Sequence, residues 1–270
     1  MKYLIKGTDI TGADWSRVLL SDNKVFLKDF SPYQTIDLGL PSGTLWADRN
    51  IGATDIYDGG KLFQWGDPTP YDIPEHTDGM VNGGQKMFYW SDYKWNPSGD
   101  SSTFTKYNET DRKITLDPED DAAHVNMGGT WKMPTEEQVT ELFKETTLEL
   151  YAKLTDDSGP VKVADGVSNG YTHVLWKYVD GHTSGEASGK LTYMKLRSKS
   201  NGNFLVVPSS VGVYNGHVAV VGSGDDFWSS SVNSSYVGVA CIGGFGDGMY
   251  GVRSDIPRYQ GCSVRGVVGQ

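Results

Sequence analysis

The chain has 270 residues and a mass of 29.6 kDa, enough for one large domain or two small ones with a core that needs no disulfide staples. Its composition, 37% hydrophobic and 21% charged with 34 glycines, excludes a disordered or collagen-like chain and points to many turns and short strands. A formal charge of -10 and a pI near 4.9 oppose a polyanionic partner, so no nucleic acid is expected as a ligand.

Residues 1 to about 34 contain "KYLIK", "RVLLSD" and "KVFLKDF", short apolar runs closed by turn formers, which predict two or three strands. Leu4 and Ile5 are the only early apolar run, so no signal peptide is read, and no stretch approaches the roughly 18 apolar residues of a membrane span. The expected location is therefore the cytoplasm or a virion, without membrane insertion. At "TIDLGLPSGTLWADRNIGA" the pattern changes, with Pro41, Ser42 and Gly43 forming a tight turn between two strand-like runs. A boundary follows: residues 1–34 form a short β-rich lead-in for attachment or oligomerisation, and residues 35–270 form the main domain.

Residues 66 to 115 are rich in Pro, Gly, Asp and Tyr and predict long loops. Their aromatics, Tyr89, Trp90, Tyr93 and Trp95, either pack over the core or present a sugar pocket, and packing is the commoner outcome. Two helices follow. In "LDPEDDAAHV", Asp117 is read as the N-cap with Pro118 in the first helical position. In "PTEEQVTELFKETT", Thr135 and Gln138 make a capping box, and Val139, Leu142 and Phe143 form an apolar face for a sheet. Four strand-like runs come next, "LELYAKL", "YTHVLWKYVD", "KLTYMKLRSK" and "NFLVVPSS", which makes the fold class α+β.

Little in the chain has the arrangement catalysis needs. Cys241 and Cys262 have no His or Asp arrangement beside them that would lower a thiol pKa, and they read as two unpaired thiols. The five histidines are scattered without ligand spacing, and the acids Glu119, Asp120 and Asp121 are explained by a first helical turn. No enzyme, metal or cofactor is expected.

Taken together, "TIDLGLPSGTLWADRNIGA", "FQWGD", "LDPEDDAAHVNMGGTWKMPTEEQVTEL", "LRSKSNGNFLVVPSS", "DFWSSS" and "GCSVRGV" resemble, in the same order, the landmarks of a group of gut-bacterial and phage proteins. That group has a C-type-lectin-like fold and is distantly similar to the formylglycine-generating enzyme domain. The resemblance covers about residues 35 to 268. It implies paired N- and C-terminal strands, two helices flanking an irregular antiparallel sheet, and a binding surface on the second half of the chain. Trp46, Trp65, Trp131 and Trp228 are expected to be buried anchors.

Some members of the group are variable proteins of diversity-generating retroelements, whose C-terminal codons are rewritten at template adenines between fixed motifs like "WSSS" and "GCSVRGV". Randomising the adenines of an AAY codon cannot give Lys, Glu, Gln, Met or Trp, and from Val232 to Arg258 only Met249 belongs to that unreachable set. The resemblance thus implies a frame of Trp228, Ser229 to Ser231 and Ser263 to Val268, within a variable surface at about 228–262. The outward set would be Tyr236, Gly238, Ala240, Ile242, Phe245, Asp247, Tyr250, Val252, Ser254, Asp255, Ile256 and Arg258. Its partner would be a cell-surface protein or glycan, bound by a homotrimer on analogy with the group. The alternative is an undiversified carbohydrate-binding or structural module of a gut bacterium, with a fixed C-terminal sequence and a sugar pocket lined by some of Tyr89, Trp90, Tyr93 and Trp95.

Overall fold

The computed structural model describes residues 32–73, 86–100, 102–155, 157–167, 170–171, 190–209, 212–218, 226–246 and 249–269, together with strand residues 4–5, 8–9, 18–19 and 25–26. In the lead-in, β1 (Leu4–Ile5) pairs antiparallel with β2 (Thr8–Asp9), and β3 (Val18–Leu19) with β4 (Val25–Phe26). The main domain continues with β5 (Thr35–Asp37), β6 (Leu45–Ala47), β7 (Lys61–Phe63), β8 (Tyr71–Asp72), α1 (Ala122–Met127) and α2 (Glu136–Glu145). Then come β9 (Thr146–Lys153), β10 (Val161–Val167), β11 (Gly170–Tyr171), β12 (Lys190–Ser198), β13 (Phe204–Pro208), β14 (Val213–Tyr214) and β15 (His217–Val218). The chain ends in β16 (Phe227–Val232), β17 (Val239–Gly246), β18 (Met249–Pro257), β19 (Cys262–Ser263) and β20 (Val267–Val268). Of the predicted strand "YTHVLWKYVD", only Tyr171 falls in a described strand, and the rest lies outside the described residues.

Three sheets organise the main domain: a three-stranded one ordered β20-β6-β5, a four-stranded one ordered β10-β9-β12-β13, and a seven-stranded one ordered β11-β18-β17-β16-β19-β7-β8. β20 and β6 pair antiparallel, with Val267 opposite Trp46, so the two ends of the main domain close on each other. The α+β class is thus what these residues form.

The helices differ in how well their starts were legible. At α2 the capping box forms as read: the Thr135 hydroxyl accepts from the Gln138 N–H at 3.3 Å, and the Gln138 amide oxygen accepts from the Thr135 N–H at 3.0 Å. Val139, Leu142 and Phe143 are buried where α2 crosses β16, β17 and β18. At α1 the start is corrected. Asp117 leads only a 3-10 turn, Pro118–Asp120, and makes no side-chain cap. Asp121 is the N-cap, its Oδ1 accepting from Ala123 N at 2.8 Å and His124 N at 2.9 Å. The same carboxylate takes the Met133 N–H at 2.8 Å, and this second anchor decides where the helix begins.

β16 is buried along its whole length because it runs between two cores. Phe227 points into the first, with Trp46, Leu142, Phe143 and Leu196. Trp228 points into the second, with Trp65, Trp131, Ile242 and Val264. All four anchor tryptophans are buried as expected. Two also bind backbone across the fold: Trp65 Nε1 donates to Ser229 O at 2.9 Å and Trp228 Nε1 to Phe63 O at 2.8 Å. A third core of Phe88, Tyr93, Phe104, Val213 and Tyr259 lies beneath the loops after residue 86.

Tyr33 and Gln34, read as the end of the lead-in, contact residues beyond 35: the Tyr33 hydroxyl accepts the Gly52 N–H at 2.9 Å and its ring meets Trp131 edge-on at 6.4 Å. Gln34 and Asp48 exchange bonds, Asp48 N donating to Gln34 O at 2.9 Å and Gln34 N to Asp48 Oδ1 at 3.1 Å.

Candidate functional site

The predicted outward set divides in three. Tyr236 is 51% exposed and Asp255 is exposed, while Val252 and Ser254 are half-buried. Phe245 and Tyr250 face each other across β17 and β18, with side chains outside the description, and Asp247 lies outside the described residues. Gly238, Ala240, Ile242, Ile256 and Arg258 are buried, which corrects the expectation for these five. The cause is that both faces of β17 are covered. Ala240 and Ile256 sit directly opposite each other and join Ile242 on Trp228 in the second core. On the other face α2 lies so close that a Cβ on Gly243 would stand 2.5 Å from Val139 Cγ1 and from Phe227 Cζ. That glycine serves a tight helix-on-sheet contact rather than a permissive surface.

Arg258 is the hub of this region. Fully buried, it donates from Nε to the Tyr93 hydroxyl at 2.9 Å and from Nη1 to the carbonyls of Tyr107 at 3.0 Å and Val237 at 2.9 Å. Nη2 donates to Lys106 O at 3.2 Å, and the guanidinium lies 4.7 Å from the Trp65 ring centroid and 4.6 Å from that of Phe104. One side chain thereby satisfies the loops of residues 93–107 and the segment before β17 together.

What stays exposed forms a rim over this buried frame. Asn233 Nδ2 donates to Ser254 O at 2.7 Å, and Asn233 Oδ1 accepts from Ser235 N at 2.8 Å and Tyr236 N at 3.0 Å. The turn carrying Tyr236 is so tied to the strand carrying Ser254 and Asp255. Ile114, 58% exposed, adjoins it, because its carbonyl accepts the Val232 N–H at 2.9 Å. The frame residues Ser229, Ser230, Ser231, Ser263, Val264 and Arg265 are all buried.

The loop aromatics take the packing outcome. Tyr93 is buried, Trp90 packs on Tyr259 at 4.6 Å and Phe104 at 5.6 Å, and Trp95 Nε1 donates to Gly66 O at 2.8 Å. Of the four, Tyr93 is buried, Trp90 and Trp95 are half-buried, and Tyr89 is exposed.

Cys241 and Cys262 are free and buried. Burial first, then Glu136, pushes the Cys241 thiol up to about 12, and burial pushes Cys262 well above its ordinary value, so neither offers a thiolate at neutral pH. Carboxylate oxygens of Asp117, Glu119 and Asp120 lie within 4.8 Å of one another, a spacing a cation could use. Lysines occupy it: Lys106 Nζ lies 2.7 Å from Asp117, 2.6 Å from Asp120 and 3.4 Å from Glu119, and Lys94 Nζ 2.9 Å from Asp120. Of the acids read as a helix start, Glu119 and Asp120 lie in a first turn and Asp121 caps α1, while the lysines pair with Asp117, Glu119 and Asp120.

No family model matches the chain, and no curated protein or solved structure is detectably similar to it. Among the described residues, no helix is long and apolar enough to cross a membrane.

Proposed function

We propose that this chain is a non-enzymatic ligand-binding protein with a C-type-lectin-like fold, of the variable-protein type, and that it presents its C-terminal rim to a cell-surface protein or glycan. The observation that carries the reading is a half-exposed tyrosine, Tyr236, beside Ser254 and Asp255, on a frame in which every residue of β16 is buried. A rigid backbone held from both sides tolerates changes in side chains that leave it and point to solvent. Tyrosine is also among the residues that dominate interface energetics. The pairing of β20 with β6 and the two helices beside the irregular sheet support the fold assignment.

In this reading variation is confined to the positions the fold leaves open, Tyr236, Ser254 and Asp255 among those described, while half-buried Val252 packs against the first core. One rim is small, so several copies raise avidity, and a homotrimer joined through residues 1–34 would supply them. The setting would be a phage tail or a bacterial display protein.

A second reading, an undiversified module of a gut bacterium, draws on the burial of Ala240, Ile242, Ile256 and Arg258, since a segment so rich in core residues resists wholesale rewriting. Sequencing the DNA beyond the 3′ end of the gene, and the same segment in sibling isolates, separates the two. The variable reading expects a near-copy of codons 228–265 that differs at the open positions and agrees at the five buried ones. Absence of such a copy, with siblings identical at Tyr236, Ser254 and Asp255, sinks it in favour of the fixed module.

A further inference from the structure

A pocket beside α1 joins a short strand edge to a buried carboxylate. Residues 114–116 lie along the end of β16, where Leu116 N donates to Ser230 O at 3.1 Å and Val232 N to Ile114 O at 2.9 Å. These bonds flank the antiparallel bridge between Thr115 and Ser231, so Thr115 sits in a non-hydrogen-bonded pair and turns its own N–H and C=O away from β16. Thr115 is exposed, and neither of its backbone groups meets a partner among the described residues. Such an edge can pair with the main chain of an extended peptide.

The pocket that Thr115 borders has a volume of about 380 Å³, within the roughly 300–1,000 Å³ of ligand sites. Leu116, Trp131 and Met133 give it apolar walls, and His124 and Asp121 also line it, the latter only 5% exposed.

Its polar groups still have acceptor capacity. Asp121 Oδ1 is filled by Ala123 N, His124 N and, at 3.1 Å, Met133 N, whereas Oδ2 takes only the Met133 N–H, at 2.8 Å. The Trp131 carbonyl, 3.3 Å from His124 Nδ1, can only accept, so Nδ1 carries the proton and Nε2 of the neutral ring is an acceptor. Among the described residues Asp121 has no ion-pair partner, and burial raises its carboxyl in spite of its backbone donors. Lys132, the cation in the wall, already has a partner.

These features select the side chain that fits. An acid is repelled by Asp121, and an apolar chain gains nothing from the open acceptors. A guanidinium pairs best with two free carboxylate oxygens, but here one is filled, which suits the single point charge of an ammonium. The apolar walls match the methylene stem of lysine.

We propose that this site binds an extended peptide, its main chain on the N–H and C=O of Thr115 and one lysine side chain in the pocket with its ammonium on Asp121 and His124. The site does not use Tyr236, Ser254 or Asp255 and does not rest on the rim reading.

The test titrates the full chain with pools of acetylated hexapeptides that carry Lys, Arg, norleucine or Glu at a central position between randomised flanks, read by amide-shift NMR on the unsubstituted protein. Expected are shifts clustered at Thr115, His124 and Trp131, and binding of the lysine pool at least about tenfold tighter than of the other three. Two variants, Thr115→Pro, which removes the edge N–H, and His124→Phe, which removes the ring acceptor, should each bind the lysine pool at least about fivefold more weakly, with Tyr236→Ala unchanged. The proposal is overturned if no pool binds, if the arginine or norleucine pool binds as tightly as the lysine pool, or if the shifts gather at Tyr236 and Asp255. The mapping on the unsubstituted protein decides the matter even where a variant fails to fold. Failure here leaves the rim reading intact, because that reading is judged on gene sequence.

Discussion

Arg258 carries the largest difference between what a residue type suggests and what its position does. As an arginine in a strand-rich, turn-rich tail it reads as an interface residue, since arginine is enriched at binding hot spots. In the fold its donors serve the Tyr93 hydroxyl and three carbonyls, and its plane lies among Trp65 and Phe104. Removing it strands several buried acceptors at once, so Arg258→Ala should lower unfolding free energy by at least about 3 kcal/mol. Urea denaturation checks this, and a loss below about 1 kcal/mol would show that water replaces the guanidinium. Sequence spacing could not have found this role, because every partner except Val237 lies more than a hundred positions away. Gly243 was missed for the same reason: its need is set by Val139 and Phe227.

At the scale of elements, local signals held where the element satisfies itself. The α2 capping box and apolar face both formed as read, because cap and face lie within one short stretch. At α1 the local signal put the start at Asp117, whereas the long-range bond from Met133 N to Asp121 sets it four residues later. The displaced acids then serve lysines. Lys106 and Lys113 hold the Asp117 carboxyl below its usual range; burial raises that of Asp120, but bonds from Lys106, Lys94 and Tyr107 outweigh it and leave it lowered. A carboxyl with a lowered folded pKa stabilises above the ordinary aspartate range and loses that contribution as acid protonates it. Stability should therefore fall as pH drops below about 5. Asp121, raised by burial in spite of its backbone donors, works in the opposite direction and offsets part of the loss. Lys106→Met should cost about 1–2 kcal/mol at neutral pH and clearly less at pH ~3, where the paired carboxyls are protonating. Urea midpoints at the two pH values decide it, and an equal cost at both would refute the ion-pair account.

At the scale of the molecule, Tyr33 packs against the second core. A chain beginning at Ile36 loses the Tyr33 contacts with Gly52, Trp131 and Arg49 that one beginning at Pro32 keeps, and should be less stable than it by about 2 kcal/mol. Calorimetry on the two truncations tests this, and equal stability would refute it. The sequence by itself determined the α+β class, the four tryptophan anchors, α2 with its cap, and the short strands, because these depend on periodicity, turn chemistry and apolar bulk within a few residues. Tertiary structure alone decided which face of β17 and β18 meets solvent, since alternation marks two faces but not whether a helix or a second core covers each. It also decided that Tyr93, Phe104 and Tyr107 pack inward around Arg258, because residues so far apart in the chain meet only once it is folded.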